Sequence, residues 1–402
     1  MSKNLKFKLI INAPAAEVYR AFTRAMTLRE WLCDAAQADP RKGGRVYLYW
    51  NSGYYTAGEF ATLVPNKKVA FTWHGRGEPS QTRIQVALAA KGKQTIVSLT
   101  HAGIGAGKAW AKSTKEFARG WNAAIENLQS VIETGQDLRF TRRPMLGVYI
   151  GSYNADEAKR LHVPVSGGFR LDGVAEGKGA HQAGLQHDDV IVKMGKHKMT
   201  GYGSLARVLQ NYRAGDKIPV VFYRGGEKKT VTMELSARPL PDVPPTARGL
   251  AEAVAKLYSD INTELDALMK GVSEPQATFK PSPKEWSAKE TLAHLIAGER
   301  QNLFQLYDFM FDAERNYDTV DNLDNLPEML SATTQAYTAA ELVQEWKHNQ
   351  AETIAMLAAL PDSFVAHKGT YWRMAFNFLQ PQDHTREHFN QMRDAIQAAT
   401  RA

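Results

Sequence analysis

The C-terminal stretch PQDHTREHFNQMRDAI, residues 381–396, places two histidines four positions apart in a pattern typical of an amphipathic helix. Residues i and i+4 of an α-helix lie about 6 Å apart on one face, so His384 and His388 can reach a single metal ion. Met392 shares this face, which indicates that the pair borders a core. Proline is favourable in a first helical turn, so we predict that the helix begins at Pro381.

The residues before this stretch predict three further helices. An apolar seam runs from Leu250 to Leu268 with helical spacing. Capping boxes, in which Ser or Thr is followed three positions later by Glu, predict helix starts at Ser287 and Thr338. Four helices of this length with apolar stripes predict an all-α four-helix bundle over residues 241–402.

Two motifs of this region resemble those of the DinB (YfiT-like) superfamily. They are KPSPKEWSAKETLAHLIAGERQN, residues 280–302, and HTREHFNQMRDAI, residues 384–396. The shared features are Trp-Ser before the second helix, the His-Leu pair that follows, and the final His-x-x-x-His pair. The resemblance implies that a divalent metal, often zinc or nickel in this family, is bound with open coordination positions by His294, His384 and His388. Several members of the family use the metal to activate a small thiol for S-transfer.

The chemistry of three imidazoles agrees with this implication. Three neutral imidazoles with an open position are typical of a catalytic rather than a closed structural metal site. Asp383, Glu387 and Glu299 are candidates to orient an imidazole N–H. An isolated His-x-x-x-His pair is more often a solvated helix surface, so the hypothesis depends on His294. The sequence leaves the catalytic residues unknown.

Residues 137–240 contain a second set of motifs. RPMLGVYIG (143–151), AGLQHDDVI (183–191) and a helix beginning near Ser204 follow one another in the order of a PDZ domain of the HtrA-protease type, which this segment resembles. The resemblance implies a β-barrel-like fold that binds the C-terminal peptide of a partner protein as an added strand. The peptide carboxylate is expected at the backbone N–H groups of Met145, Leu146, Gly147 and Val148. Its last apolar side chain is expected against Leu205, Val208 and Leu209.

Two departures from the PDZ pattern bear on specificity. Gly179-Ala180-His181 replaces the usual Ser-Pro-Ala, and Asp188-Asp189 replaces the usual Gly-Asp. Neither change touches the proposed carboxylate site. A PDZ fold that serves only as a spacer remains the alternative. No GNSGG-type nucleophile motif occurs in the sequence, which excludes a serine protease of this type.

Residues 1–136 predict an antiparallel sheet followed by a long helix. TRIQVALAA (82–90) alternates with the period of a half-buried strand, and an apolar stripe from Phe117 to Ile132 predicts the helix. INAPAAEVYRAFT (11–23) and LVPNKKVAFTWHG (63–75) resemble the SRPBCC (START-like) superfamily, in particular the branch related to the activator of Hsp90 ATPase. The resemblance implies a helix-grip α/β fold with a pocket for an apolar small molecule.

Eight aromatic residues are the candidate walls of that pocket, and filling of the core is the alternative for each of them. They are Trp31, Tyr47, Tyr49, Trp50, Phe71, Trp73, Trp110 and Trp121. His74 and His101, near predicted strand ends, are expected at the rim.

Composition limits the class of protein. With 402 residues, two or three domains are expected, and the three patterns predict a multidomain α+β protein with a proline-rich linker at 238–246. The formal net charge of +8 is uneven, being +10 in residues 1–136, +6 in 137–246 and −8 in 247–402. Because no dense basic tract with interleaved aromatics occurs, nucleic-acid binding is not expected.

The same composition predicts a location. The single cysteine, Cys33, fits a reducing compartment, and neither a signal-peptide pattern nor an apolar run that could cross a bilayer is present. We therefore expect a cytoplasmic protein, of an oligomeric state that the sequence does not fix.

Two functions are compatible with these features. In the first, which we favour from the sequence, the chain is a binding or adaptor protein with an apolar pocket, a peptide-binding PDZ domain and a metal-binding bundle. In the second, the bundle is a DinB-like metal-dependent transferase or hydrolase, and the other domains recruit its substrate or partner.

Overall fold

The computed structural model describes residues 3–209, 211–283, 285–313 and 326–401. The chain divides into two compact units by its internal contacts. One unit contains residues 1–50, 54–135 and 241–402, and the other contains residues 51–53 and 136–240. The first and third predicted domains thus form a single unit, which sequence analysis did not anticipate.

The N-terminal domain is a seven-stranded antiparallel sheet, in the order β1-β7-β6-β5-β4-β3-β2, with one long helix. This arrangement is the helix-grip fold that the sequence predicted. Sequence analysis missed the second helix. The elements are β1 (Lys3–Ile11), α1 (Ala15–Ala21), α2 (Ala25–Trp31), β2 (Ala35–Ala38), β3 (Arg45–Tyr49), β4 (Tyr55–Val64), β5 (Lys68–Gly75), β6 (Thr82–Lys91), β7 (Gln94–Ile104) and α3 (Lys108–Thr134).

The middle domain is a second antiparallel sheet, with strand order β13-β12-β10-β9-β8 and β11 paired to β10. Strand β8, which follows the predicted carboxylate loop, lies at the edge of the sheet. Its elements are α4 (Leu138–Thr141), β8 (Val148–Gly151), α5 (Ala155–Arg160), β9 (Phe169–Val174), α6 (Gly179–Gln182), β10 (Val190–Met194), β11 (His197–Lys198), α7 (Tyr202–Leu209), β12 (Lys217–Arg224) and β13 (Glu227–Glu234).

The Asp188-Asp189 departure has a structural explanation. Asp188 adopts a left-handed conformation with φ of 66°, which glycine would adopt with less strain. Its carboxylate accepts hydrogen bonds from Arg160 and Arg170, which hold it in place. Asp189 is fully buried and accepts two hydrogen bonds of 2.8 Å from the Arg224 guanidinium.

The described regular elements of the C-terminal domain are all helices. The two predicted capping boxes, at Ser287 and Thr338, are present. The last helix begins at Asp383 rather than at Pro381. The helices are α8 (Ala247–Met269), α9 (Glu274–Thr278), α10 (Ala288–Met310), α11 (Leu326–Ala336), α12 (Ala339–Ala358), α13 (Asp362–Val365), α14 (Lys368–Phe378) and α15 (Asp383–Arg401). Of the helices described, none combines the length and the apolar character needed to span a bilayer.

Helix α14, which sequence analysis missed, joins the bundle to the N-terminal domain. It packs against α2 and α3, and Met26 of α2 belongs to the same buried cluster as Leu250 and Phe309 of the bundle. The Thr370 hydroxyl donates a hydrogen bond of 2.7 Å to the Glu30 carboxylate. Burial of apolar side chains from both domains in one core explains why they form one unit.

Gly369 is a position of close approach between the two domains. A Cβ atom added there would lie 2.6 Å from Val131 Cγ1 and 2.7 Å from Glu30 Oε2. We expect Gly369→Ala to lower the free energy of unfolding by about 1–3 kcal/mol, because a well-packed contact must open.

Chemical denaturation of the whole chain measures this effect. The matched control is Gly120→Ala in the middle of α3, where an added Cβ would meet no described atom within 4 Å. This control should be stabilised by about 0.5–1 kcal/mol, since alanine is the better helix former. An equal change in the free energy of unfolding in the two variants would contradict the close packing of α14.

Glu30 is a buried carboxyl group in this joint, with 5% of its surface exposed. Burial raises its pKa to about 7, while the Thr370 hydrogen bond and the charges of Arg373 and Arg20 act in the opposite direction. In the unfolded chain the pKa returns to its ordinary value near 4.5. Folding therefore takes up a proton between these two pH values, and stability falls as pH rises from about 4.5 to about 7.

We expect Glu30→Gln to remove this pH dependence. Above pH 7 the variant should be more stable than the wild type by up to about 3 kcal/mol, because no buried charge forms. Below pH 4.5 the two proteins should be equally stable, since glutamine resembles the protonated acid.

Urea denaturation from pH 4 to pH 8 provides the measurement, with Glu352→Gln, an exposed position on α12, as the control. A parallel pH profile for wild type and Glu30→Gln would show that Glu30 does not titrate in this range.

Candidate metal centre

Three histidines from two helices of the bundle converge on one point. His294 lies in the second turn of α10, while His384 and His388 lie in the first two turns of α15. One ring nitrogen from each imidazole lies within 4.8 Å of the others. The sequence prediction that these residues meet is therefore matched by their positions.

The spacing of the nitrogens suits a transition metal. The Nε2 atoms of His384 and His388 are 3.2 Å apart. Two ligands of a tetrahedral zinc ion with Zn–N bonds near 2.0–2.1 Å are separated by about 3.3 Å. The donor set is entirely imidazole, which suits zinc and nickel and is less suited to calcium or magnesium. The residues present thus fit the metal that the DinB resemblance implies.

Two neighbouring side chains orient the imidazoles. Gln391 lies one turn after His388, and its Oε1 accepts a hydrogen bond of 2.8 Å from Nδ1 of His388. Because Nδ1 carries the proton, Nε2 of His388 is unprotonated and faces the other two rings. The Trp286 ring stacks on the His388 ring with 6.3 Å between ring centroids, and its centroid lies 5.0 Å from that of His294. Sequence analysis quoted Trp286 only as part of a motif and missed Gln391, although its i+3 spacing was a usable signal.

The electrostatics of the cluster favour neutral imidazoles. Burial lowers the pKa of His294, and the charges of His388 and His384 lower it further. His384 is exposed, but partial desolvation by neighbouring groups and the charge of His388 also lower its pKa, while the charge of Glu387 acts in the opposite direction. A neutral imidazole is the form that binds a metal, so these shifts favour the metal-binding form of His294 and His384 at neutral pH.

The three acidic residues that we expected to orient the imidazoles have other surroundings. Glu299 accepts a hydrogen bond of 3.0 Å from the Tyr258 hydroxyl, and burial raises its pKa. The charge of Glu387 raises the pKa of His384, and the charge of Asp383 raises the pKa of Arg386. Gln391, rather than Glu299, therefore holds an imidazole N–H.

Cavities lie on both sides of the histidine cluster. One of about 390 Å³ is bordered by His294 and His384, and the buried Tyr258–Glu299 pair lines it. Another of about 420 Å³ is bordered by His388, together with Trp286 and Gln391. A small molecule could therefore approach the cluster without a rearrangement of the bundle.

The second predicted site lies in the middle domain. Gly147 has φ of 75°, in the left-handed region, and the next residues form the edge strand β8. The Met145 amide donates to the carbonyl of Ser236 at 2.9 Å, so it is not available to a peptide carboxylate. The predicted carboxylate site therefore reduces to the amides of Leu146, Gly147 and Val148.

The predicted apolar pocket of this domain is a part of its core. Leu205, Val208 and Leu209 on α7 are buried in one cluster with Leu146. The side chain of Lys178 packs over Gly147, since a Cβ added to that glycine would lie 2.1 Å from Lys178 Cβ. The aliphatic part of the Lys178 side chain therefore borders the carboxylate site, which the sequence did not reveal.

Family comparisons match each of the three segments separately. The profile described as activator of Hsp90 ATPase homolog 1-like protein (AHSA1) matches residues 12–133. A PDZ domain profile matches residues 146–235, and a DinB superfamily profile matches residues 258–392. The chain combines an AHSA1-type domain, a PDZ domain and a DinB-superfamily domain.

Similar proteins cover only parts of this chain. The probable periplasmic serine protease do/HhoA-like of Haemophilus influenzae is 31% identical over 121 residues, which are 30% of this chain and 25% of that protein. The serine protease Do-like HtrA of Lactococcus lactis is 31% identical over 99 residues, 23% of this chain and 24% of that protein. The chain thus spans about a quarter of the length of the curated relatives it matches.

Solved structures resemble one part of the chain. The Aha1 dimer from Colwellia psychrerythraea is 22% identical, covers 33% of this chain and 98% of its own, and has a TM-score of 0.30. An HSP90 activator from Plasmodium falciparum is 24% identical, covers 32% of this chain and 94% of its own, and has a TM-score of 0.29.

In the AHSA1-type domain, the eight predicted pocket residues lie in different environments. Five are buried in the core cluster, and Trp50 packs against it. Tyr47 and Tyr49 alternate along β3 with the buried Val46 and Leu48, so their side chains point to the opposite face. The five are Trp31, Phe71, Trp73, Trp110 and Trp121. Filling of the core thus explains the five buried rings, and the ligand pocket stays a prediction.

The sequence predicted His101 at the rim of this domain, but the residue is fully buried. Its Nδ1 accepts a hydrogen bond from Trp121 Nε1 at 3.1 Å, and its Nε2 donates to Thr82 at 2.8 Å. Burial lowers its pKa to about 4, so the ring is neutral at physiological pH. It is therefore a hydrogen-bonded core residue.

Proposed function

We propose that this chain is a multidomain binding protein whose DinB-type bundle holds one divalent metal, zinc or nickel, through His294, His384 and His388. The observation that carries the proposal is the convergence of the three ring nitrogens within 4.8 Å. In this proposal the PDZ domain binds the C-terminal peptide of a partner protein, and the AHSA1-type domain binds an apolar small molecule. We assign this function to the cytoplasm, on the evidence of the single cysteine Cys33.

Metal analysis of the purified full-length chain tests the first part of the proposal. Protein prepared without chelators should carry about one zinc or nickel per chain, measured by inductively coupled plasma mass spectrometry. Protein that stays metal-free after incubation with either ion would refute the metal centre.

Gln391 provides a finer test, because its hydrogen bond fixes the orientation of His388. We expect Gln391→Ala to weaken metal binding by about 10–100-fold, the usual effect of removing a side chain that orients a ligand. Competition with a chromophoric chelator measures the affinity. Gln397→Ala, exposed on the same helix, is the control and should bind like wild type. Unchanged affinity in Gln391→Ala would show that the bond does not support the site.

An enzyme of the DinB type is the second candidate, and the cavity of about 390 Å³ beside His294 and His384 favours it. When bound, the metal would act as a Lewis acid that lowers the pKa of a coordinated water or thiol. The three imidazoles would hold it at the edge of this cavity, which His294 and His384 border. The Tyr258–Glu299 pair would give this cavity a polar wall that can hydrogen-bond a substrate.

Ligand-induced stabilisation distinguishes the two candidates. If thiol transfer is the reaction, low-molecular-weight thiols should raise the melting temperature of the metal-loaded chain and leave that of the metal-free chain unchanged. At a thiol concentration 100 times the dissociation constant, the stabilisation amounts to about 2.7 kcal/mol. Absence of any shift across a panel of thiols would favour the binding protein.

A further inference from the structure

A groove with four lysines lies on the outer face of the PDZ sheet. Its volume is about 780 Å³. Its floor includes Val221 and Tyr223 of β12, and one wall is the loop 164–167. The lysines that line it are Lys193, Lys196, Lys198 and Lys228.

The charge of this groove is not compensated by the protein. No acidic side chain is among the described residues that line it. Across the described chain, none of its four ammonium groups has a carboxylate within 4.0 Å. Two other lysines of the same sheet do have partners, since Lys217 pairs with Glu234 and Lys229 with Glu227. The uncompensated positive charge is therefore concentrated in the groove.

Two of the lysines are placed where their charges destabilise the sheet. Lys193 of β10 and Lys198 of β11 are directly opposite each other in an antiparallel pair. Like charges at directly opposed positions destabilise a sheet. An anionic ligand between them would turn this repulsion into attraction for both.

The remaining surface of the groove suits a peptide. Tyr223 and Lys228 are cross-strand partners, as are Val221 and Thr230, so apolar and polar side chains share the floor. The Tyr153 hydroxyl donates a hydrogen bond to the carbonyl of Val165, which anchors the loop that forms the wall. A concave surface of this mixed character fits an extended chain, whose side chains can contact both the lysines and the apolar floor.

The groove is separate from the predicted site for C-terminal peptides. Strand β8, which borders that site, and strand β12 are separated in the sheet by β9 and β10. We propose that the groove binds an extended acidic segment of a partner protein, recognised through its carboxylate side chains and not through its C terminus. This proposal goes beyond the function proposed above and does not depend on it.

Binding of an amidated hexaglutamate peptide to the full-length chain tests the proposal. The amide removes the terminal carboxylate that the PDZ carboxylate site would bind. Fluorescence anisotropy should detect binding that weakens with added salt. An excess of an unlabelled peptide with a free, apolar C terminus should not displace it, and displacement would overturn the separation of the two sites.

A matched pair of double variants locates the site. Lys193→Gln with Lys198→Gln should weaken hexaglutamate binding by at least about tenfold. Lys217→Gln with Lys229→Gln removes the same charge from the ion-paired lysines and should change binding by less than about twofold. Because the first variant relieves a repulsion, it should melt no lower than wild type, so loss of folding cannot imitate the result.

Two outcomes would overturn the proposal. Equal weakening in both double variants would show that hexaglutamate responds only to net charge. Binding to phosphatidylserine vesicles that is lost in the first variant alone, with no binding of hexaglutamate to the wild type, would assign the groove to a membrane surface.

Discussion

Replacing His384 with alanine should abolish metal binding by the DinB-type bundle. His384 Nε2 lies 3.2 Å from His388 Nε2 and within reach of His294, so its removal leaves two of three ligands. Loss of a residue that merely orients a ligand costs about 10–100-fold in affinity. Loss of a ligand should therefore cost at least about 100-fold, and the purified variant should carry far less than one metal per chain.

Mass spectrometry of metal content and chelator competition measure this result. His348→Ala is the matched control, because His348 is exposed on α12 and outside the histidine cluster. The His384→Ala variant is expected to fold, since His384 is itself exposed at the start of α15. Full metal occupancy in a folded His384→Ala protein would refute the three-histidine centre.

The second large effect concerns the PDZ domain, where Gly147→Glu should abolish binding of a C-terminal peptide. Gly147 has φ of 75°, which other residues adopt only with strain of about 1–2 kcal/mol. An added Cβ would also lie 2.1 Å from Lys178 Cβ, and the new carboxylate would repel that of the peptide. We expect binding to weaken by at least about 100-fold, as these three effects act together.

A random library of C-terminal peptides should first select sequences with an apolar last residue, and anisotropy with one such peptide measures the variant. Gly226→Glu is the control, since it adds the same charge in the β12–β13 hairpin. Among the described atoms, a Cβ added there has one neighbour within 4 Å, the carbonyl oxygen of His162 at 3.6 Å. Amidation of the selected peptide should abolish its binding to the wild type. Retained binding of the amidated peptide, or of Gly147→Glu, would reduce the domain to a spacer.

The joint between the AHSA1-type domain and the bundle affects how these results are interpreted. Because Met26 lies in the bundle core and Thr370 bonds Glu30, the two domains should unfold together. A change at Gly369 can therefore alter stability measured in either domain, whereas the PDZ domain belongs to a separate unit. The metal affinities of the metal-centre variants should accordingly be compared under conditions in which the wild type and the variants have the same free energy of unfolding.

Local patterns in the sequence determined much of the architecture. The helix starts at Ser287 and Thr338 follow from capping boxes, whose donors and acceptors are three residues apart. The pairing of His384 with His388 follows from one turn of a helix. The alternation in residues 82–90 fixed the burial of a strand. These features need only neighbours along the chain, so the sequence was sufficient to predict them.

The tertiary structure alone decided the features that depend on distant partners. His294 meets the other histidines across 90 positions through the packing of α10 on α15, and only the family resemblance anticipated this. Three further features depend on groups brought together from separate elements. They are the burial of His101, the hydrogen bond of the Met145 amide to Ser236 and the raised pKa of Glu30. Burial and desolvation are properties of the packed chain as a whole, and no local sequence pattern encodes them.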